Sequence, residues 1–212
     1  MKNFVPLPRP FYEPSAAVVA PRLLGHWLIR NTSRGLCGGT IVETEAYLAG
    51  DPACHGYAGE TARNRSMYGP PGHAYVYFTY GMHFCFNAVC RPRGAAEAVL
   101  IRAVAPVIGE EIMRSNRSAV KERDLTNGPA KLCAALGIDR SLDGVDLCAG
   151  ASPLFIARNS RQKEFLLQAG PMITTTRIGI SRAAERPLRF YLAGSSFISR
   201  RTAETRERAP GF

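Results

Sequence analysis

Apolar and polar positions alternate with the two-residue period of a strand in several short stretches of the chain. Trp27–Asn31 and Thr40–Tyr47 read as strands, and Thr32–Gly39 between them has hairpin chemistry. Ala74–Thr79 (AYVYFT) and Met82–Cys90 (MHFCFNAVC) are richer still in aromatic and β-branched residues. Tyr80-Gly81 separates them, and the glycine permits a tight turn. That places Tyr80 at or near an exposed tip, an unusual position for so large a ring. Ala98–Val104, Leu154–Ala157, Thr174–Ile180 and Leu188–Leu192 are further strand candidates.

Three segments carry helix signals. Ser15 can cap a helix over Ala16–Gly25, which Pro21 must kink or divide. Ile108–Val120 has Glu110 and Glu111 in its first turn and Arg117 and Lys121 near its end, as the helix dipole prefers. Pro129–Leu136 follows a cap at Asn127 or Gly128 and stops at Gly137. Gly50–Pro71 is a long polar loop holding Arg63, Asn64 and Arg65, and a loop of that length is commonly functional or disordered. The elements predict one mixed α+β domain over residues 1–212, its sequential strands mostly antiparallel. The Pro-rich residues 1–14 and the charged tail 200–212 are expected at the periphery.

Charge sharpens the picture. The 212 residues contain 27 Lys+Arg against 17 Asp+Glu, a net charge of +10. A basic, arginine-dominated surface suits polyanions, although a solvated basic surface without a partner fits the count as well. No apolar run reaches the ~18 residues of a membrane span, and the N-terminus lacks the apolar core of a secretory signal. The six cysteines form no C-x-x-C pair, and several lie in apolar segments such as Phe84-Cys85-Phe86. Buried free thiols and a reducing, cytoplasmic compartment are expected. No metal spacing, zinc-deaminase pattern, Walker loop, G-x-G-x-x-G or G-x-S-x-G is present, so neither a metal nor a cofactor is expected.

Two constellations could carry chemistry. In Ile41–Tyr47, strand alternation puts Glu43, Glu45 and Tyr47 on one face. They are either acids turned to water on a half-exposed strand or a carboxylate beside an aromatic wall, able to act as a general base. Tyr75 and Tyr77 likewise share a face, as ordinary core packing or as a platform on which a base stacks, worth ~1–3 kcal/mol. A cationic, methylated purine would bind such rings more strongly. Alternation alone leaves both pairs of readings open.

Taken together, IVETEAYL (41–48), RNRSMYGPPGHAYVYFTYGMHFCFN (63–87), VLIRAV (99–104), NGPAKLC (127–133), RIGIS (177–181) and RPLRFY (186–191) resemble one family, the alkyladenine (3-methyladenine) DNA glycosylases of the mammalian type. The segments occur in family order over most of the chain, and their joint match is specific although no single piece is. The resemblance implies a curved antiparallel sheet and a protruding hairpin that enters the DNA minor groove. It implies that Glu45 positions and deprotonates the attacking water, with Arg102 beside it. Tyr47, His55 and Tyr77 would sandwich the flipped base, and Asn87 would crowd the exocyclic amino group of normal guanine. Tyr80 would intercalate where the base had been. Gly81, Met82 and His83 on the hairpin, with Arg63, Arg65 and Lys131 in basic segments, would line the DNA. The chain starts close to the catalytic region, like a bacterial member. His83 follows Met82 where some members carry tyrosine, which touches backbone contact and not the reaction.

The implied activity is monofunctional: hydrolysis of the bond between sugar and a flipped alkylated or deaminated purine, leaving an abasic site. The substrates implied are 3-methyladenine, 7-methylguanine, hypoxanthine and ethenoadenine in double-stranded DNA, and a monomer is expected. Two other classes use some of the same features. A non-enzymatic binder of damaged nucleic acid would use the basic face and the aromatic hairpin, but has no use for a carboxylate turned to a polyanion. A tRNA-handling domain of the formyltransferase type would require RNA to outcompete DNA.

Overall fold

The computed structural model describes residues 4–79, 81–117 and 121–201. Tyr80, the last residues of the helix expected over 108–120, and most of the charged tail therefore lie outside the described residues.

Eight strands form one sheet, and every pairing in it is antiparallel. They are β1 (Trp27–Thr32), β2 (Gly35–Tyr47), β3 (Ala74–Thr79), β4 (His83–Cys90), β5 (Glu97–Ile108), β6 (Leu154–Ala157), β7 (Met172–Thr175) and β8 (Arg189–Leu192). The main order is β3-β4-β5-β2-β1-β6. The sheet curls because β2 has two partners along one edge. Its first half pairs with β1, from Trp27↔Thr40 to Thr32↔Gly35, and Glu43–Glu45 pair with Arg189–Tyr191 of β8. β5 runs along the other edge. Among the described residues four α-helices complete the α+β fold: α1 (Ala16–Leu23), α2 (Glu110–Asn116), α3 (Pro129–Leu136) and α4 (Gln162–Gln168).

Strand alternation divides the apolar residues between the two faces. Val76, Phe86, Ala88, Val99 and Ile101 join Val19 and Leu23 of α1 and Leu132 and Leu136 of α3 in the main core. Their strand neighbours Tyr75, Val89 and Ala98 face the other way, into a smaller cluster with Cys54 and Met67, against which Tyr47 and Tyr77 pack.

Several expectations need correction. The segment Thr32–Gly39 is mostly strand, and the turn is reduced to Ser33-Arg34. Its glycines serve close packing of backbones. A Cβ at Gly38 would lie 2.2 Å from the Leu28 carbonyl oxygen, and one at Gly39 would lie 2.3 Å from that of Ala105. Helix α1 runs through Pro21 as one element. Ser15 does not cap it with its own side chain. Its hydroxyl instead donates to Glu97 Oε2 (2.8 Å), which also accepts the Ala16 N–H (2.9 Å), so a buried carboxylate from β5 faces the helix start. Ile108 ends β5 and does not open a helix; Gly109, with φ 64°, turns the chain into α2. Thr174–Ile180 is strand only to Thr175, and α4 carried no signal that had been read as helical. The residues before Ser15 do more than wrap the surface, since Leu7 and Tyr12 are fully buried. The first tail residues, Arg200 and Arg201, are tied down: the Arg200 carbonyl accepts from Arg189, and Arg201 donates to the carbonyls of Ala193 and Ser195.

Two measurements check this account. Gly39→Ala should destabilise the fold by about 2–3 kcal/mol in denaturant titration, because the clash is with backbone. Gly150→Ala, in open space, should change little. His26 is held down to about 4 by burial and by Arg158 and Arg22, and its Nδ1 accepts the Asn159 N–H. A depressed histidine is protonated in the unfolded chain first, so its contribution is complete above pH 6.5 and is lost as pH falls toward 4. That component, about 3 kcal/mol by linkage, should vanish from the pH dependence of unfolding in His26→Gln.

Candidate active site

A cavity of about 190 Å³ opens on the sheet face that carries Tyr75 and Tyr77. Its walls are Tyr47 from β2, Tyr75 and Tyr77 from β3, Cys85 and Asn87 from β4, Arg102 from β5, His55 and Met67 from the long loop, and Ile178–Ile180. The rings of His55 and Tyr77 are 4.4 Å apart at 74°, forming a corner. His55 Nδ1 lies 2.9 Å from the Tyr75 hydroxyl. Asn87 pairs with Tyr75 across the hairpin strands and donates its side-chain N–H to the Tyr75 carbonyl (3.1 Å), which fixes the amide at the cavity wall.

Behind the wall lies an ionic cluster. Glu43 and Glu45 are completely buried, and Arg102 and Arg189 are nearly so. Acids turned to water are therefore ruled out for this strand. Arg102 donates from Nε to Glu43 Oε1 (2.9 Å), and its Nη1 forms an ion pair with Glu45 Oε2 at 3.1 Å. The β2–β5 ladder is irregular at this point. Glu43 faces Ala103 and Thr44 faces Ile101, so Arg102 has no partner in the register, and Val42 is skipped on the other strand. Bulges of this kind re-aim side chains, and here the guanidinium meets both carboxylates. Glu45 Oε2 also accepts from the Tyr47 hydroxyl (2.9 Å), and Oε1 accepts the Ile178 N–H (2.8 Å). A carboxylate offers about four acceptor positions. Two take hydrogen bonds and the Arg102 ion pair crowds a third on Oε2, so among the described residues one position on Oε1 stays free.

The electrostatics follow from burial and pairing. Burial opposes charge on Glu43, yet Arg102, Arg189 and hydrogen bonds from Ser199 hold it below the usual carboxylate range. Burial likewise works against Arg102, but Glu45 and Glu43 outweigh it and keep the guanidinium ionised. Burial and the Glu45 charge push the Tyr47 hydroxyl far up, so it stays a donor. His55 is held down by burial and by Arg63, which favours neutral imidazole.

A family model described as methylpurine-DNA glycosylase matches residues 10–196. The chain belongs to the methylpurine-DNA glycosylase family. It is similar over most of its length to proteins each provisionally named a 3-methyladenine DNA glycosylase. The one from Carboxydothermus hydrogenoformans is 49% identical over 195 residues, 92% of this chain and 99% of that protein. The one from Methanoculleus marisnigri is 48% identical over the same extents. The one from Francisella tularensis is 46% identical over 182 residues, 86% of this chain and 92% of that protein.

Within this methylpurine-DNA glycosylase chain, the expected site residues fall into groups. Tyr47, His55, Tyr77, Asn87 and Arg102 line the cavity, and Glu45 is bonded to two of its walls, Tyr47 and Arg102. Arg63 is nearby on a shallower depression shared with His55, and donates to the Phe78 carbonyl (2.8 Å). Arg65 is exposed and pairs with Glu60 at 3.3 Å. Gly81, Met82 and His83 are exposed at the turn between β3 and β4; Tyr80 lies outside the described residues. Lys131 is not at the cavity. It is held on α3 by Asp124 and Asn127, in a separate basic groove with Arg123, Arg200 and Arg201. Among the described residues no three His, Cys, Asp or Glu side chains come together to hold a metal ion, and no helix is long and apolar enough to cross a membrane.

Sequence reasoning left Glu43 open between a solvated acid and part of a functional face, and gave no role to Arg189, Ile178, Arg177 or Asp51. Glu43 and Arg189 belong to the ionic cluster, and Ile178 holds Glu45 by its backbone. Arg177 forms a fully buried pair with Asp51, donates to the Ala46 carbonyl (3.1 Å) and lies over the Tyr47 ring at 4.7 Å. The available signal was that RIGIS and RPLRFY are motifs with charged residues inside otherwise apolar stretches. Removing Asp51 should strand the Arg177 charge. Asp51→Ala is expected to cost about 3–5 kcal/mol in unfolding free energy, as breaking one side of a buried pair does.

Proposed function

We propose that the protein is a monofunctional DNA glycosylase acting on damaged purines in double-stranded DNA. The observation that carries this reading is a buried carboxylate, Glu45, with one free acceptor position beside an aromatic-walled cavity. In this reading the damaged nucleotide leaves the stack, which costs a few kcal/mol and least where pairing is already weakened. Tyr80 fills the gap that the flipped nucleotide leaves. Gly81, Met82, His83, Arg63, Arg65 and Lys131 hold the DNA, in keeping with the net charge of +10.

The base then enters the cavity between Tyr47 and the corner of His55 and Tyr77. The electron-rich tyrosine faces favour a cationic purine methylated at N3 or N7, and a neutral His55 does not repel it. Asn87, pinned by its bond to Tyr75, crowds the exocyclic amino group of normal guanine. Water on Glu45 Oε1 is aimed at the sugar carbon. As the glycosidic bond opens through an oxocarbenium-like state, Glu45 takes the water proton, the oxygen bonds to the carbon, and the electron pair leaves with the base. Among the described residues no lysine lines the cavity, which supports hydrolysis to an abasic site over a Schiff-base route. Alkylated bases, hypoxanthine and ethenoadenine are the substrates proposed. The protein acts as a monomer in a reducing, cytosolic setting, where its six free cysteines remain thiols.

The test is base release from duplexes carrying 7-methylguanine, hypoxanthine or 1,N6-ethenoadenine, with a metal chelator present. Wild type should release at least one lesion and leave the strand uncut. Glu45→Gln should lose about 10²- to 10⁴-fold in rate while still binding the duplex. Binding without release by wild type would instead mark a damage-binding module.

A further inference from the structure

We propose that Glu43 is a positioning residue for base release: it stays the counter-ion of Arg102 while Glu45 accepts a proton, so that the guanidinium at the cavity wall is neither stranded nor displaced. This rests on the reading of Glu45 as general base.

The geometry carries it. Glu43 takes four donors: Arg102 Nε at 2.9 Å, Arg189 Nε at 2.7 Å and the Ser199 hydroxyl at 2.8 Å on Oε1, and the Ser199 N–H at 2.6 Å on Oε2. Arg102 in turn is held on three sides, by Glu43 at Nε, by the Ser199 hydroxyl at Nη2 (3.1 Å) and by Glu45 at Nη1. A guanidinium so held cannot swing to follow a change at Glu45. Two carboxylates and two arginines balance in the resting cluster. When Glu45 takes the proton of the attacking water, one negative charge disappears from a site with almost no access to solvent. A buried cation left without a partner is strongly destabilising. Glu43 removes that penalty, because Arg102 already has a second, immobile carboxylate. Ser199, which makes Glu43 rigid, lies beyond the residues 10–196 matched by the family model.

The charged and titratable groups facing Glu45 are Arg102 from β5, Tyr47 and Glu43 on its own strand, Cys85 from β4, Arg189 on the paired β8, and Arg177 across the Tyr47 ring. Removing the Glu43 charge leaves this surround more positive. Protonation of Glu45 then becomes harder, both at equilibrium and in the reaction. Removing Arg189 as well restores the balance.

The experiment is single-turnover release of 7-methylguanine from a duplex as a function of pH, with duplex affinity and melting temperature measured alongside. Glu43→Gln should be slower by about tenfold or more near neutral pH, with Kd within about threefold of wild type. The acid limb of its rate profile should move down by about one pH unit. Glu43→Gln/Arg189→Gln should bring the limb back to the wild-type position. An unmoved limb in the single variant, or a double variant displaced further, overturns the proposal. If Glu43→Gln does not fold, Ser199→Ala decides, since it keeps every charge and the backbone N–H. It should lower kcat severalfold with KM unchanged, and Ser199→Thr should recover the rate; wild-type kinetics in Ser199→Ala would overturn the proposal. Failure of the general-base reading is distinguishable, because then Glu45→Gln releases base as fast as wild type.

Discussion

A guanidinium shared between two carboxylates in a dry interior is the constraint around which this fold is arranged. Isolated charges are not tolerated away from water, so each member of the cluster must be delivered by an element whose position is fixed. Glu43 and Glu45 come from β2, Arg102 from the opposing bulge in β5, and Arg189 from β8, which pairs with the same three residues of β2. The segment after β8 returns to close the cluster with Ser199. The double partnering of β2 is thus what brings four ionised groups within hydrogen-bond distance, and the curl of the sheet is its geometric result.

The cavity depends on the cluster from one side and on a second buried pair from the other. Asp51 and Arg177 join the loop after β2 to the segment after β7, and Ile178, next to Arg177, supplies the N–H that orients Glu45. Tyr47 belongs to both systems: its hydroxyl bonds Glu45, and its ring lies under Arg177. The aromatic wall and the carboxylate are therefore positioned together.

Much of this was legible along the chain where local pattern and tertiary role agree. The strands around Tyr80-Gly81, the helix at Pro129 and the shared face of Tyr75 and Tyr77 follow from alternation, propensity and capping, and the structure places them as expected. Tyr47, His55, Tyr77, Asn87 and Arg102, named through the family resemblance, line one cavity. Legibility ended where long-range contacts decide. Gly38 and Gly39 read as turn residues because nothing local reports the carbonyls that press on them. Glu43 read equally well as a solvated acid, because alternation cannot reveal partners 59, 146 and 156 residues away. The segment 176–180 has strand composition, but its backbone is spent on holding Glu45 and not on a ladder.

The Ser199 contact has a consequence for how the molecule comes into being. Translation proceeds from the N-terminus, and Glu45, Tyr77 and Arg102 are made well before the residues that complete their surroundings. Until the chain reaches Ile178, Arg189 and Ser199, the two glutamates lack the donors that these residues supply, and Glu45 has no fixed orientation. A chain made only as far as β7 would carry the aromatic strands and the basic loop without the groups that fix both glutamates in place.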